Sequence, residues 1–379
     1  MQFHSRPLSL QSELYSYCPP WALSWSYRRQ NLLRELLGYD ADVLCLQEIQ
    51  SDHYEDFFLP ELTRAGYSAV YKRKTGEMFT GGAYAFDGCA TFFRKDSFTL
   101  IKKYEVEFNK AAGPVAEACA TGASREKATQ RLMKNNVALI LVLEAREGSR
   151  AAPAGSAGKR PLLCVANTHI HANPELNDVK LWQVHTLLKG LEKIAASAEI
   201  PMVVCGDFNS MPLSAAHFLL TSGRVDPSHP ELSTDPLGIL RPASKLCHAL
   251  PLTSVYAAAA VPGQHPGGDA ALPDGGAGVA RLRERLDLGG PHGEGGSGEP
   301  LFTNCTAGFT GTLDYIFFTR DALVPTAVLD LPEEEAVRGP QGAAGGLPSA
   351  VRSSDHVCIM AELQVRVAEE RWQGGGRGR

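Results

Sequence analysis

Short apolar runs alternate with amphipathic stretches along this chain. Apolar residues recur at helical spacing in 28–37, with basic residues on the other face, and again in 184–194, so both stretches predict helices. Each is followed by a short apolar run, at 42–47 and 202–205, that predicts a strand buried on both sides. Similar runs predict further strands at 90–94, 136–144, 162–168, 313–318 and 357–363.

This order of elements predicts an α/β fold in which two stacked sheets of mixed strands are flanked by helices. We assign one domain to residues 10–366, because the polar motifs described below are spread over most of that length. The segment 261–300 is dominated by Gly, Ala, Pro and Asp and predicts a disordered insertion. The Gly- and Arg-rich segment 367–379 predicts a flexible tail.

The most informative motif is Gly-Asp-Phe-Asn-Ser at 206–210, directly after an apolar run. Because alternate residues of a strand face the same side, Asp207 and Asn209 can converge on one phosphate oxygen or its attacking water, while Phe208 points into the core. Asp, Asn, Gly and Ser are also turn formers, so a turn without chemistry is the alternative.

Four more polar islands border similar runs, and their ionisable residues are Glu48, His169, Asp314 and the pair Asp355 and His356. Charged groups seldom stay at the ends of buried strands unless they are paired or bind a metal. The islands together therefore predict one shared site. Taken singly, each has a structural alternative: Glu48 as a helix cap, Asp314 as half of an ion pair, and His356 as a satisfied core histidine.

The order of the islands, L-Q-E, N-T-H, G-D-x-N-S, L-D-Y-I and S-D-H, resembles the endonuclease/exonuclease/phosphatase superfamily. Nocturnin and the angel proteins share some of the motifs, but the stretch S-Y-C-P-P-W-A-L-S-W favours another branch, the carbon catabolite repressor-type poly(A) deadenylases. The resemblance to their catalytic domain runs from about residue 10 to about residue 363. It rests on the motifs at 15–23, 46–48, 87–93, 106–109 and 173–181.

The resemblance implies a Mg²⁺-dependent 3′–5′ exoribonuclease that binds single-stranded poly(A), shortens the tails of mRNA and releases 5′-AMP. It implies two Mg²⁺ ions, for which Mn²⁺ can substitute, with Glu48, Asp355 and Asp207 as the metal ligands. Carboxylate oxygens are the hard ligands that Mg²⁺ prefers. By the same resemblance, Asn136 lines the phosphate site.

The resemblance also implies roles for the other polar residues. Asp207 activates or holds the attacking water, and Asn209 orients that water or the phosphate. His356 contacts the scissile phosphate and is oriented by Asp314. His169 donates to a second non-bridging oxygen.

Substrate choice depends on a different set of residues. By resemblance, the 3′ adenine is sandwiched between Phe309 and Pro174, with Asn209 near the base edge. The alternative for Phe309 is a loop aromatic packed on the core.

The chain departs from the family pattern at its beginning. Relatives open this domain with a strand that reads Tyr-Asn-Val-Leu or nearly so, and its asparagine reaches the metal. No such motif stands upstream of residue 10, so we expect the fold to lack its first strand. Three explanations are a truncated sequence, a poor replacement of the strand by residues 2–9, and a degenerate relative; we favour truncation. The resemblance implies a deadenylase complex with a Not-type scaffold as partner, although the sequence lacks the leucine-rich repeat module with which many relatives dock on it.

Composition limits the choice of partners and compartment. The net charge of −5 provides no overall attraction to nucleic acid, so RNA must be bound locally. The basic clusters at 72–74 and 125–134 are candidate phosphate contacts; the alternative for each is a solvated helix or loop face. Nine cysteines without C-x-x-C spacing indicate buried thiols in a reducing compartment. Because the sequence shows neither a signal peptide nor a membrane-spanning run, we expect a cytoplasmic or nuclear protein without a membrane partner.

Three other functions fit the same motifs. A nocturnin-like phosphatase acting on a dinucleotide 2′-phosphate would need basic side chains beside Glu48. An abasic-site DNA endonuclease would need a more basic surface. A catalytically impaired scaffold or RNA-binding relative would keep the fold without turnover, and the missing first strand favours it.

Overall fold

The computed structural model of this chain describes residues 14–76, 78–80, 83–118, 121–152, 161–196, 200–260, 297–339 and 345–366. The predicted tail 367–379 lies outside these residues, as does the predicted insertion 261–300 except for its last four positions. Both predictions stay untested.

The strands and helices follow one another in the mixed order that the sequence predicts. The strands are β1 (Val43–Gln50), β2 (Tyr67–Arg73), β3 (Met78–Thr80), β4 (Ala83–Ala85), β5 (Asp87–Arg94), β6 (Phe98–Glu107), β7 (Val137–Ala145), β8 (Leu162–His169), β9 (Met202–Asp207), β10 (Leu252–Ser254), β11 (Asn304–Cys305), β12 (Thr310–Gly311), β13 (Asp314–Thr319), β14 (Leu323–Val328) and β15 (Ala361–Val365). The α-helices are α1 (Pro20–Leu23), α2 (Trp25–Gly38), α3 (Ser51–His53), α4 (Leu59–Arg64), α5 (Phe108–Glu117), α6 (Gly122–Leu132), α7 (Asn177–Ala195), α8 (Ala215–Ser222), α9 (Val255–Ala259) and α10 (Glu334–Arg338). A π-helical segment, Tyr54–Phe58, joins α3 to α4, and short 3₁₀ segments lie at Pro230–Thr234 and Ala243–Lys245.

Two sheets form the centre of the fold. The small sheet has the strand order β1-β5-β2, and the large sheet has the order β10-β13-β9-β8-β7-β6. All of their neighbouring strands are antiparallel except β8 and β9, which are parallel. Phe93 of the small sheet and Leu139, Leu141 and Val165 of the large sheet share one buried cluster. The predicted two-sheet α/β architecture is therefore confirmed.

Helices cover the outer faces of both sheets. Helix α2 buries Leu32 and Leu36 in one cluster with Leu44 and Phe92 of the small sheet, because its apolar residues recur along one face. Its basic residue Arg28, which the pattern placed on a surface face, is instead only 6% exposed. Helix α7 packs its apolar stripe on the large sheet in the same manner.

The last predicted strand differs from the observed one. The apolar run predicted a strand at 357–363, whereas β15 begins at Ala361. Upstream of it, the Val357 N–H donates to the Thr303 carbonyl at 2.7 Å, while the Met360 carbonyl accepts from the Leu329 N–H at 2.8 Å. Because successive backbone groups bond to different elements, no regular ladder forms. Asp355 and His356 consequently lie in a loop, not at the start of a strand.

Strand β1 lies at one edge of the small sheet as far as the described residues show. Residues 1–13 lie outside the described part of the chain, so the expected loss of a first strand stays a prediction. Among the described residues, no helix combines the length and apolar character that crossing a membrane requires.

Candidate active site

The register of the large sheet brings three of the predicted site residues side by side. His169 ends β8, Asp207 ends β9 and Asp314 begins β13. Asp207 is paired with His169 in the parallel ladder and with Asp314 in the antiparallel one. The His169 Nε2 atom lies 3.5 Å from Asp207 Oδ2. Their proximity follows from strand ends that meet at one edge.

Gly206 allows this close pairing. Its φ is +142°, and a Cβ at this position would lie 2.0 Å from the carbonyl oxygen of Thr168 on the neighbouring strand. Only glycine fits such an approach of two backbones. The strand therefore carries Asp207 directly against His169.

Glu48 reaches the same place from the small sheet. The pairing of β1 with β5 shifts register between Leu46 and Ile49, and Glu48 lies within this bulge with a φ of +54°. A bulge re-aims a side chain that would otherwise follow the alternation of the strand. As a result, Glu48 Oε1 lies 3.9 Å from the Nε2 atom of His169.

A buried asparagine connects the two sheets beneath these residues. Asn167, which is fully buried, donates through Nδ2 to the carbonyls of Leu46 at 3.2 Å and Ala90 at 3.0 Å. Its Oδ1 accepts from Gln47 Nε2 at 2.8 Å. The motif N-T-H was noted for its histidine only, and the signal for Asn167 was a polar residue inside an otherwise apolar run. This asparagine holds β1, and with it Glu48, against β8.

The segment after β9 forms a turn that also holds the Asp207 side chain. Asn209 has a φ of +48°, its N–H donates to Asp207 Oδ1 at 2.8 Å, and its Nδ2 donates to Asp207 Oδ2 at 3.1 Å. Lys180 of α7 donates to the Asn209 carbonyl at 2.7 Å. Phe208 is fully buried, which confirms its predicted place in the core. The turn therefore fixes the Asp207 carboxylate from two directions.

Asp314 and His356 form a buried pair. His356 Nδ1 lies 2.5 Å from Asp314 Oδ2, and both side chains are less than a tenth exposed. Burial lowers the pKa of His356, but Asp314, followed by Asp355 and Asp207, outweighs this effect and raises the pKa to about 9. A carboxylate behind the imidazole also fixes its orientation. The ring is thus a charged donor at neutral pH.

Asp207 carries the opposite perturbation. Burial raises its pKa, and the neighbouring carboxylates of Asp314 and Glu48 add to the rise, while His356 and the Asn209 N–H oppose it; the result is about 8. A carboxyl group with such a pKa exchanges protons near neutral pH. A cation with oxygen ligands at this point would favour its ionised form.

Asn136 lies behind His169. It directly precedes β7, its Nδ2 donates to the His169 carbonyl at 2.9 Å, and its Oδ1 accepts from Gln183 Nε2 at 3.2 Å. The structure thus shows Asn136 holding the backbone of a site residue. Its predicted place in the phosphate site stays a prediction.

The two predicted adenine-binding residues lie on exposed loops. Pro174 lies between β8 and α7 and is exposed, and Phe309 lies between β11 and β12 and is 40% exposed. Phe309 is therefore not a core aromatic. A Cβ at Gly311 would lie 2.9 Å from Phe309 Cζ and 2.5 Å from Met211 Sδ, so these two side chains flank Gly311. The sandwich of a base between Pro174 and Phe309 stays a prediction.

The carboxylates predicted to bind a metal lie close to the same edge of the large sheet. Asp207 and Asp355 are buried carboxylates, and Glu48 lies within 4 Å of the same imidazole as Asp207, so the available oxygens are of the kind that Mg²⁺ takes. Within the described ranges, no three His, Cys, Asp or Glu side chains are grouped as a metal cluster. Mg²⁺ commonly binds through one or two carboxylates plus water and substrate phosphate. The donor set fits a Mg²⁺ site of that open kind.

Several basic residues that the sequence offered as phosphate contacts have acidic partners. Lys72 Nζ lies 2.6 Å from Glu107 Oε1 and 3.0 Å from Glu105 Oε2. Lys74 pairs with buried Asp87 at 2.6 Å. Arg131 binds Asp178 through two nitrogens at 2.7 and 2.8 Å. These ion pairs reduce the positive charge that the clusters at 72–74 and 125–134 present to a phosphate.

Comparison with known proteins agrees with this fold. The profile of the Endonuclease/Exonuclease/phosphatase family matches residues 9–356, and the chain therefore belongs to that family. Within the family, its domain is of the carbon catabolite repressor type. It is 56% identical over 353 residues to "Carbon catabolite repressor protein 4 homolog 1" of Arabidopsis thaliana, covering 93% of this chain and 55% of that protein.

A fungal protein and a solved structure are also similar to this chain. The chain is 30% identical over 382 residues to "CCR4-Not complex 3'-5'-exoribonuclease subunit Ccr4" of Schizosaccharomyces pombe, covering 94% of this chain and 47% of that protein. It thus spans about half the length of both curated relatives. Among solved structures, ANGEL2, described as a 2′,3′-cyclic phosphatase in complex with adenosine-2′,3′-vanadate, matches with a TM-score of 0.66 and 28% identity, covering 96% of this chain and 94% of that one.

Proposed function

We propose that this chain is a Mg²⁺-dependent 3′–5′ exoribonuclease that shortens poly(A) and releases 5′-AMP. The observation that carries the proposal is the convergence of Glu48, His169 and Asp207 beside the Asp314–His356 pair. The fungal relative that is named as a 3′–5′ exoribonuclease subunit supports the same reaction.

The site residues divide the work of phosphodiester hydrolysis. Glu48, Asp207 and Asp355 would hold a Mg²⁺ ion, which would neutralise charge on the phosphate and lower the pKa of water. Asp207 is suited to hold the attacking water and accept its proton, because a cation would offset the neighbouring carboxylates that raise its pKa and keep it ionised. Asn209 limits the rotation of that carboxylate through its two hydrogen bonds. His356 is suited to donate to a non-bridging phosphate oxygen, because Asp314 keeps its ring charged.

Adenine recognition is the finer part of the proposal. Phe309 and Pro174 are exposed on loops that follow strand ends, so both remain available for stacking on an unpaired base. Asn209 is half-buried in the turn after β9, where its Nδ2 donates to the Ile170 carbonyl at 2.8 Å and to Asp207 Oδ2 at 3.1 Å. We assign the sandwich to Phe309 and Pro174 and the base edge to Asn209.

The test is the degradation of 5′-labelled RNA that ends in an oligo(A) tract, beside RNA with an oligo(U) end, in Mg²⁺ and in EDTA. The wild-type chain should shorten the oligo(A) end in single-nucleotide steps only with Mg²⁺. Asp207→Asn keeps the shape of the side chain and should lose about 10³-fold in rate. The matched control is Asp226→Asn, because Asp226 is an exposed loop carboxylate that accepts only from Ser228 among the described contacts. Equal rates for the two variants would refute the assignment.

A second candidate is a phosphatase acting on a nucleotide phosphate end. The similarity to ANGEL2 favours a 2′,3′-cyclic phosphate as its substrate. A nocturnin-like dinucleotide 2′-phosphatase has less support, because Lys72 and Lys74 are neutralised by acidic partners. Including RNA with a 2′,3′-cyclic phosphate end and a dinucleotide 2′-phosphate in the same assay separates the three activities. No turnover of any of them would favour the catalytically impaired scaffold.

The fungal relative's name also motivates a partner. We propose that this chain associates with a Not-type scaffold, because that relative is named as a subunit of the CCR4-Not complex. Size-exclusion chromatography of the purified chain mixed with purified Not scaffold tests this proposal. Co-elution supports the association, and separate elution at micromolar concentration contradicts it.

A further inference from the structure

The loop that carries Asp355 and His356 has little regular backbone pairing. We name residues 347–356 the catalytic loop. Its internal hydrogen bonds include the Ser349 N–H to the Arg352 carbonyl at 2.7 Å and the His356 N–H to Ser354 Oγ at 3.1 Å. A segment without a strand ladder needs other partners for its carbonyl groups. Neighbouring elements must therefore supply hydrogen-bond donors to this loop.

Side chains from 15–31 supply those partners across more than 300 residues of sequence. We name this stretch the N-terminal strap. Its donors bond to four carbonyls of the catalytic loop: Tyr17 Oη to Leu347 O, Tyr27 Oη to Ala350 O at 2.5 Å, Asn31 Nδ2 to Val351 O at 2.7 Å and Arg28 Nε to Ser353 O at 2.9 Å. The strap thus holds the loop at several points along its length.

The contact nearest the site differs from the others in its acceptor. The hydroxyl of Tyr15 donates to Asp355 Oδ2 at 2.8 Å, and both side chains are only 3% exposed. Here the strap binds a site carboxylate instead of a backbone carbonyl. Burial and then Asp355 raise the pKa of Tyr15 well above its usual value, so the hydroxyl stays a donor at any physiological pH.

Arg28 adds a buried cation beside the same carboxylate. It is 6% exposed, and the charges of Asp355, Tyr15 and Glu48 act on it against the effect of burial, which lowers its pKa. Its Nε binds the carbonyl two residues before Asp355. A cation there reduces the mutual repulsion of the site carboxylates. The strap therefore meets Asp355 with both a hydrogen bond and a positive charge.

We infer that Tyr15 is a positioning residue for Asp355: its hydroxyl fixes the plane of this carboxylate and so fixes the oxygen offered to a divalent cation. The inference rests on the proposed function, because it uses Asp355 as a cation ligand. Charged hydrogen bonds of this kind are short and directional, which suits them to hold one rotamer. Rotation of an unheld carboxylate would weaken cation binding without unfolding the domain.

The test compares Tyr15→Phe with Tyr17→Phe in the full chain. Each change removes one strap hydroxyl that donates to the catalytic loop, but only Tyr15 reaches a site carboxylate, while Tyr17 reaches the Leu347 carbonyl. Free Mn²⁺ is measured by electron paramagnetic resonance in the absence of RNA. Thermal unfolding midpoints are recorded for both variants, and kcat and KM are measured on oligo(A) RNA.

Tyr15→Phe should raise the dissociation constant for Mn²⁺ about tenfold, the equivalent of one hydrogen bond to a charged group. It should lower kcat by a similar factor while KM stays within twofold, and Tyr17→Phe should leave both quantities within twofold at a comparable unfolding midpoint. Unchanged Mn²⁺ affinity in Tyr15→Phe, or equal losses in the two variants, would overturn the inference. Wild-type protein that binds Mn²⁺ without cleaving RNA would instead overturn the proposed function alone, since the comparison of the variants still decides the role of Tyr15. Wild-type protein that binds no Mn²⁺ would overturn both.

Discussion

The Asp314–His356 pair allows a direct test of how a carboxylate sets the pKa of a buried imidazole in this site. The His356 ring is buried, and burial alone would lower its pKa, yet Asp314 at 2.5 Å holds the pKa near 9 with help from Asp355 and Asp207. Asp314→Asn keeps the shape of the side chain and an oxygen that can accept from Nδ1. It removes the negative charge. The variant therefore isolates the electrostatic part of the contact.

The magnitude follows from the shift itself. A rise from 6.5 to about 9 corresponds to a preference for the charged ring of about 3 kcal/mol. Asp314 is the largest of the groups that raise the pKa of His356, so its neutralisation should return that pKa to below 7. At pH 7.5 the ring would then be mostly neutral. The alkaline limb of the pH–rate profile should move to lower pH by about two units, which lowers the rate on oligo(A) about fourfold at pH 7.5 and about fiftyfold at pH 9.

Two measurements check this expectation. Nuclear magnetic resonance titration of the histidine ring protons gives the pKa of His356 directly in the metal-free chain, and the pH–rate profile gives its consequence. The control is Glu299→Gln, because Glu299 and His217 form another buried carboxylate–imidazole pair at 3.2 Å. A His356 pKa above 8 in Asp314→Asn would refute the reasoning. So would a profile that moves as far in the control as in the variant.

Three further predictions concern the frame of the site. Gly206→Ala should lower the free energy of unfolding by about 3 kcal/mol, because its Cβ would lie 2.0 Å from the Thr168 carbonyl oxygen. The control Gly190→Ala in α7, where a Cβ meets nothing within 4 Å, should instead raise the free energy of unfolding by up to about 1 kcal/mol. Urea unfolding measures both variants, and similar values would contradict the steric argument. Asn167→Asp should destabilise by about 3 kcal/mol or more, because a carboxylate would face the carbonyls of Leu46 and Ala90, and a loss below 1 kcal/mol in urea would contradict it. The metal-free chain should become less stable as the pH rises from 6.5 to 8, because the raised pKa values of Asp207 and His356 make the folded state bind more protons over that window. Each group contributes up to about 1.4 kcal/mol per pH unit, and Mg²⁺ should flatten the slope. Calorimetry that finds the stability rising with pH would contradict this prediction.

The sequence carried the information for one half of the site. The apolar runs before His169 and Asp207 and after Asp314 predicted three strands, and the observed register places these residues in adjacent positions. The ends of buried strands can be predicted from a sequence, because such strands are continuous apolar runs that end where polar residues begin. The core position of Phe208 followed from the alternation of side chains along a strand.

The other half depends on contacts between distant parts of the chain. The predicted strand at 357–363 starts later than expected, because the backbone from Asp355 to Met360 bonds to several different elements. No local pattern distinguishes such a segment from a strand. Arg28 had the spacing of a surface residue, and only the fold shows that it is buried against the Ser353 carbonyl. The partners of these groups are hundreds of residues away, beyond the reach of a periodicity argument.

Backbone strain accompanies the buried charge at this site. Glu48 and Asn209 both have positive φ values, at +54° and +48°, and such conformations cost a non-glycine residue about 1–3 kcal/mol each. They persist because the surroundings determine them: the bulge in β1 is held through Asn167, and the turn after β9 is held by Asp207 and Lys180. At these two positions the side chain leaves the regular alternation of a strand: Glu48 lies 3.9 Å from His169, and Asn209 donates to Asp207. Relaxing either backbone would remove this strain, but it would turn Glu48 away from His169 or Asn209 away from Asp207.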